Sequence, residues 1–178
     1  DMAIGLALLF NIKLPLNFAS PYKSLTISEF WRRWHMTLSR FLRDYIYIPL
    51  GGNRKGKTNR HRNLMITMLL GGLWHGASWN FILWGGLHGL YLIINHFWTT
   101  KSPFRLPAIY SWLLTFFAVI FAWVFFRAEN FSVALIMLQS MTIPQGGFES
   151  FCQYKLQVSI VVSALGIACI MPNSQELL

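Results

Sequence analysis

The sequence predicts an all-α, multi-pass transmembrane fold, and three observations carry that expectation. Hydrophobic residues make up 54% of the chain and charged residues only 12%, against roughly a quarter charged in soluble domains. The charges are also segregated. No Lys, Arg, Asp or Glu occurs among the 38 residues between Arg62 and Lys101, nor in 106–126 or 156–173. A spanning helix needs about 20 apolar residues, and a charge at mid-bilayer costs about 2.5–3.5 kcal/mol, so charge-free runs of this length are what spanning requires. Thirdly, ten of the fifteen basic residues fall between Lys23 and Arg62, beside the first of these runs. Anionic headgroups favour such residues by about 1 kcal/mol each. That placement accounts for the net charge of +9 with a lipid bilayer as the partner, and nucleic acid is not expected.

Apolar residues begin at Met2, directly after Asp1, and no signal peptide is visible. The expectation is a single membrane domain over 1–178 that is a C-terminal piece of a longer protein, with further helices upstream. Residues 27–48 read as an interfacial amphipathic helix. Thr26 followed by Glu29 is a capping-box pattern, and Pro49 cannot continue a helix. At 100° per residue, Trp31, Trp34, Leu38, Phe41, Leu42, Tyr45 and Ile46 gather on one face and Arg32, Arg33, Arg40, Arg43 and Asp44 on the other. His35 falls on the apolar arc. An ionisable group there is a functional candidate by default, and a neutral core imidazole is the competing reading.

The string Gly51-Gly52-Asn53-Arg54-Lys55-Gly56-Lys57-Thr58 has Walker spacing. A P-loop needs a buried strand before it, whereas an interfacial helix is expected here, so nucleotide hydrolysis is not. Residues 64–98 suit two crossings, 64–79 and 81–98, with a break near 76–80 at Gly, Trp and Asn. Basic residues flank this pair on both sides, at 54–62 and at Lys101 and Arg105, which places both flanks in the cytoplasm by the positive-inside rule. Residues 106–126 then cross outward and 156–171 return.

The pair of crossings carries two more histidines, His75 and His88, each followed by glycine and set among Trp74, Trp79 and Trp84. Glycine admits a close approach of backbone or substrate, and each indole supplies a flat wall with one N–H donor. Were the helix continuous, their thirteen-residue offset would turn them about 220° apart, so that at most one would share a cavity with His35. No HxxxH or HExxH spacing occurs, and Cys152 and Cys169 form no CxxC, so neither a metal site nor a disulfide framework is expected. Without a GxSxG elbow, what remains is histidine in apolar surroundings, suited to act as a base on a substrate's own hydroxyl.

Two long strings make the chain recognisable. Ser28-Glu29-Phe30-Trp31-Arg32-Arg33-Trp34-His35 with Arg43-Asp44-Tyr45-Ile46-Tyr47-Ile48-Pro49-Leu50-Gly51-Gly52-Asn53-Arg54 is one. Gly71-Gly72-Leu73-Trp74-His75-Gly76-Ala77-Ser78-Trp79-Asn80 with Trp84-Gly85-Gly86-Leu87-His88-Gly89 is the other. Both resemble the signature regions of membrane-bound O-acyltransferases, in particular the bacterial alginate O-acetylation subgroup. The resemblance implies a many-helix fold in the bacterial cytoplasmic (inner) membrane with a central funnel, and transfer of an acyl group from a thioester to a hydroxyl. It further implies His75 as the catalytic base and His35 as the second catalytic histidine, with His88, Trp74 and Asn80 in support. No bound cofactor is implied; acetyl-CoA or another acyl thioester would be the donor substrate. A polysaccharide or a periplasmic acyl-relay protein would take the group. Transfer of D-alanine to a different envelope acceptor, or a non-catalytic transport or scaffold role, are the alternatives.

Overall fold

The computed structural model describes residues 2–54, 56–142 and 148–173, and every regular element among them is helical. The order is α1 (Met2–Leu9), a 3-10 turn (Pro21–Lys23), α2 (Ile27–Arg33), α3 (Met36–Leu42), a π turn (Arg43–Tyr47), α4 (Gly56–Trp74), α5 (Trp79–Lys101), α6 (Ala108–Arg127), α7 (Phe131–Thr142) and α8 (Phe148–Ile170).

Around the α4–α5 hairpin the rest is arranged, with α4 on one side of α5 and α6 on the other, and α2 laid across them. Gly72 and Gly85 face one another where α4 and α5 cross. A Cβ added at Gly72 would strike the Phe81 carbonyl oxygen, and one at Gly85 the Met68 carbonyl oxygen. Small residues at such a crossing let two backbones touch, and close van der Waals packing is what joins helices where lipid removes the hydrophobic incentive. The core sits between α2, α4, α5 and α6, formed by Ile27, Phe30, Trp31, Met68, Trp84, Val119 and Ala122. A second cluster of Val124, Phe125, Ala128 and Ala134 seats α7 against the end of α6.

Three segments differ from the expectation. The helix expected over 27–48 is broken. Its start has the Thr26 cap, which accepts from the Glu29 amide at 3.1 Å, while the Glu29 carboxylate accepts from the Leu25 amide. The chain then leaves the helix at Trp34, and His35 takes a left-handed conformation at φ 44°. The single apolar face therefore divides. Trp31, Leu38 and Leu42 are buried, but Phe41 is 50% and Tyr45 71% exposed.

The second difference lies in the crossings. One helix among the described residues, Ala108–Arg127, is long and apolar enough to cross a membrane. In α4 the residues Lys57, Arg60 and Arg62 occupy the first two turns, so its uncharged part runs only from Asn63 to Trp74, about 18 Å. As for α5, its length of 23 residues suffices, but Asn80, His88, Asn95 and His96 make it too polar for a lipid-facing span.

The third is α7, which the charge-free runs did not anticipate. It is a short apolar helix opened by Asn130, whose side chain accepts from the Val133 amide at 3.0 Å. The last helix, α8, begins earlier than residue 156, the start expected for it. Its apolar side chains are largely bare, with Leu156, Ile160, Val161, Val162, Ile167 and Ile170 all exposed. Its end is tied back to the start of the chain: Lys23 donates to the Met171 carbonyl at 2.7 Å, and Asn173 donates to the Ser20 hydroxyl at 2.9 Å.

Candidate functional site

The turn between α4 and α5 holds His75. The α4 helix closes as the His75 amide donates to the Gly72 carbonyl, and Gly76 follows at φ 154°, in the region that favours glycine. A side chain there would also run into the Phe81 ring. Ser78 then caps α5, accepting from the Asn80 amide at 3.3 Å. His75 is only partly buried, and its ring makes no hydrogen bond to the described residues. Instead it is boxed by aromatic faces: Trp74 at 5.0 Å, Phe126 at 4.9 Å and Trp84 at 5.3 Å, the last two nearly perpendicular. A ring so held is oriented while its nitrogens carry no bond to the described residues.

Asn80, 3% exposed, donates to the Ala128 carbonyl at 2.8 Å and so ties the start of α5 to the end of α6, the helix that brings Phe126 to His75. Losing this bond would strand a buried carbonyl, which costs about 1–3 kcal/mol.

Beneath the turn the aromatic packing continues inward. Trp84, 4% exposed, shows one face to His75 and lies 4.9 Å from His88. His88 is fully buried and accepts on Nδ1 from the Trp31 indole N–H at 3.2 Å. An indole can only donate, so Nδ1 carries no proton and the ring is neutral with its hydrogen on Nε2. Neither that Nε2 nor the Trp84 indole nitrogen has a partner among the described residues. The two histidines thus flank one tryptophan, where a continuous helix would turn them about 220° apart. The break at 75–78 removes the constant 100° step on which that angle depended.

His35 approaches from the other side. Its ring lies 6.3 Å from Trp74 and 6.0 Å from Phe18, and its Nδ1 is buried without a partner among the described residues. Trp74 therefore borders both His35 and His75. The left-handed backbone of a non-glycine residue costs about 1–3 kcal/mol and persists only where its surroundings impose it. Here an extended strap does so. The Met36 amide donates to the Asn17 carbonyl, the Thr37 amide and hydroxyl donate to the Asn17 side chain, and the Ala19 amide donates to the Arg33 carbonyl.

The structure thus gathers His75, His35, Trp74 and Asn80 at the closed end of the hairpin, with His88 deeper in the core behind Trp84. Trp84, the centre of this packing, was visible in the sequence only as one of three neighbouring tryptophans. Of those three, Trp79 is 81% exposed, and residue type alone does not separate them. Sequence reasoning also passed over His61 and His96, whose rings meet at 5.7 Å at the far end of the hairpin. Among the described residues, no three His, Cys, Asp or Glu side chains converge as a metal site would require.

A profile of the MBOAT, membrane-bound O-acyltransferase family, matches residues 1–135. Curated relatives agree with it. The chain is 56% identical over 144 residues to a peptidoglycan O-acetyltransferase of Helicobacter pylori, covering 79% of this chain and 27% of that protein. It is 52% identical over 142 residues to the probable alginate O-acetylase AlgI of Pseudomonas putida, covering 79% and 29%. A teichoic acid D-alanyltransferase of Streptococcus thermophilus is 38% identical over 107 residues, covering 56% and 26%. The chain thus spans less than a third of the length of each of these three relatives. With the match running through both histidine-bearing strings, this chain belongs to the membrane-bound O-acyltransferase family.

Proposed function

We propose that the protein of which this chain is part transfers an acyl group, acetyl by preference, from a thioester to hydroxyls of an exported cell-envelope polysaccharide, with His75 as general base. The observation that carries the reading is the state of His75: oriented by three aromatic rings, partly open, and with no hydrogen bond to the described residues to occupy its nitrogens. Family membership narrows the chemistry to acyl transfer. The O-acetyltransferase and O-acetylase names belong to relatives with 50% identity or more, and the D-alanyl name to two at 38% and 30%.

In this mechanism the acceptor hydroxyl attacks the thioester carbonyl while His75 takes its proton. The new C–O bond forms, the C–S bond breaks, and the thiolate leaves with the proton from the imidazolium. Such general-base catalysis contributes about 10²–10⁴ in rate. His35, across Trp74, orients or polarises a reacting group. Trp74 walls the space between the two, Asn80 holds α5 and α6 in register, and His88 supports Trp84 from beneath. The donor is acetyl-CoA or another acyl thioester, and the acceptor is the polysaccharide itself or a relay protein.

The hairpin and α6 cross the bacterial inner membrane within a larger bundle, and the exposed apolar side chains of α1 and α8 meet lipid or other helices. The basic stretch 54–62 and Lys101 then lie on the cytoplasmic side. Labelled acetyl-CoA supplied to the full-length protein in membranes tests the assignment. His75→Gln keeps the size and some hydrogen bonding of histidine but cannot act as a base near pH 7, and it should transfer at background rate. Near-normal transfer would remove His75 from the role and make His35 the leading candidate. Acylation with D-alanine but not acetate would select the other transfer reaction.

A further inference from the structure

A histidine that takes a proton becomes a cation, and where water is scarce that charge needs a partner. In a Ser-His-Asp triad a buried carboxylate supplies it. No carboxylate among the described residues pairs with His75. Glu29 pairs with Arg33 at 2.8 Å, Asp44 pairs with Arg43 at 2.7 Å, and Glu129 is exposed beyond the end of α6. The second histidine, His35, lies across Trp74 and would repel another positive charge. What surrounds His75 is π-electron density. Trp74, Phe126 and Trp84 lie at 5.0, 4.9 and 5.3 Å, with their planes 78°, 81° and 87° from its own.

We infer that Trp84, together with Phe126 and Trp74, serves as the countercharge of the His75 imidazolium, its ring quadrupole stabilising the cation formed as the acceptor hydroxyl gives up its proton. This rests on His75 being the base. A cation within about 6 Å of a ring centroid is attracted to the π system, most strongly to that of tryptophan, and more strongly still where the pair is desolvated. Trp84 meets the last condition and Trp74 does not, since they are 4% and 61% exposed. Trp84 is also held in place. It packs against Phe126 at 5.2 Å, Trp31 at 5.9 Å and His88 at 4.9 Å, and His88 is fixed in turn by the Trp31 indole N–H at 3.2 Å. His88 is thus a positioning residue for Trp84. A ring so confined has nothing to reorganise as the charge appears, and such preorganisation is what makes an electrostatic environment effective in catalysis.

The proton balance of the transfer is unchanged by this role. The hydroxyl proton moves to His75 as the C–O bond forms, and it leaves with the thiolate as the C–S bond breaks. The cation exists only between those two events, after both substrates are bound. Stabilising it therefore speeds the transfer and leaves donor binding untouched. A packing role for Trp84 would act through the amount of folded protein and would be indifferent to the electron density of the ring.

The test varies that density at nearly constant shape. Mono-, di- and tetrafluorotryptophan replace Trp84 alone in the full-length protein in nanodiscs. Single-turnover transfer from labelled acetyl-CoA is followed at saturating donor, with KM for the donor and Tm measured alongside. The logarithm of the rate should fall stepwise with the number of fluorines, to a loss of roughly two- to thirtyfold in the tetrafluoro protein. KM and Tm should stay near wild type. The same series at Trp79, 81% exposed, should be flat. His75→Gln, assayed beside them, keeps two failures apart. Near-normal transfer by His75→Gln would remove the base, and the countercharge role would fall with it. If His75→Gln is inactive, a Trp84 series that is flat, rises with fluorination, or falls only as Tm falls would overturn the countercharge role and leave the base in place. An equal slope at Trp79 would overturn it as well.

Discussion

The two ends of the α4–α5 hairpin are built from the same pair of helices and have opposite chemistry. At the closed end, His75 sits among Trp74, Trp84 and Phe126. At the open end Lys57, Arg60 and Arg62 leave α4 and His96 and Lys101 leave α5. Between them the core is filled by Trp31, Met68, Trp84 and His88. The difference teaches that position along one helix pair sets what a histidine can do. His75 has no hydrogen bond to the described residues, His88 is locked by an indole, and His96 accepts from a guanidinium.

The largest effect expected from breaking this contrast is at the closed end. His75→Ala in the full-length protein should cut acyl transfer by at least the 10²–10⁴ of general-base catalysis while leaving membrane insertion and Tm near wild type. A matching loss of folded protein would reassign His75 to packing. Next comes the crossing that joins the ends. Gly85→Ala drives a methyl group into the Met68 carbonyl oxygen, and overpacking of this kind costs about 1–3 kcal/mol. Thermal unfolding should show the loss, whereas Gly86→Ala, where a Cβ meets only the Leu69 side chain at 3.6 Å, should be tolerated.

Asn80→Ala should cost a similar amount, about 1–3 kcal/mol, by leaving the Ala128 carbonyl unsatisfied. Because Phe126 rides on the same helix end, activity at saturating donor should fall with it; unchanged activity in a destabilised variant would separate the clamp from the site. The smallest effect belongs to the exposed arginine face. Arg40→Glu should shift stability by only about 0.5 kcal/mol, as surface changes do. Trp34→Glu should be far worse, since Trp34 stacks on Phe30 at 5.6 Å and meets Trp123 at 5.2 Å. Equal tolerance of the two in a denaturation series would mean the buried side of α2 is misassigned.

Much of this was legible in the sequence for local reasons. The Thr26 cap, the break after His75 and the small residues near it are short-range signals, because a cap or a positive φ is decided within a few residues. The gathering of His35, Trp74 and His75 was legible only as a family resemblance. What could not be read was long-range. His35 breaks its helix because Ala19 binds Arg33 before the break and Asn17 binds Met36 and Thr37 after it, and no 3.6-residue pattern registers a distant strap. Trp84 and Trp79 look alike in the text, yet one is buried and the other 81% exposed, since burial follows from which helix crosses which. The short α7 escaped attention because charge-free length was the criterion applied, and twelve residues fall below it.

The ties from α8 to the first turn have a consequence for the order of assembly. Ser20 and Asn173 are separated by 153 residues, and Lys23 and Met171 by 148. The strap that imposes the left-handed conformation on His35 begins at Asn17 and leads directly into this pair of bonds. During synthesis at about 5–20 residues per second, the C-terminal partners emerge roughly 8–30 s after the N-terminal ones. The histidine turn, whose contacts come from α4, α5 and α6, can assemble in that interval. The clasp beside His35 closes only when the end of α8 has been made, so this flank of the site is completed last.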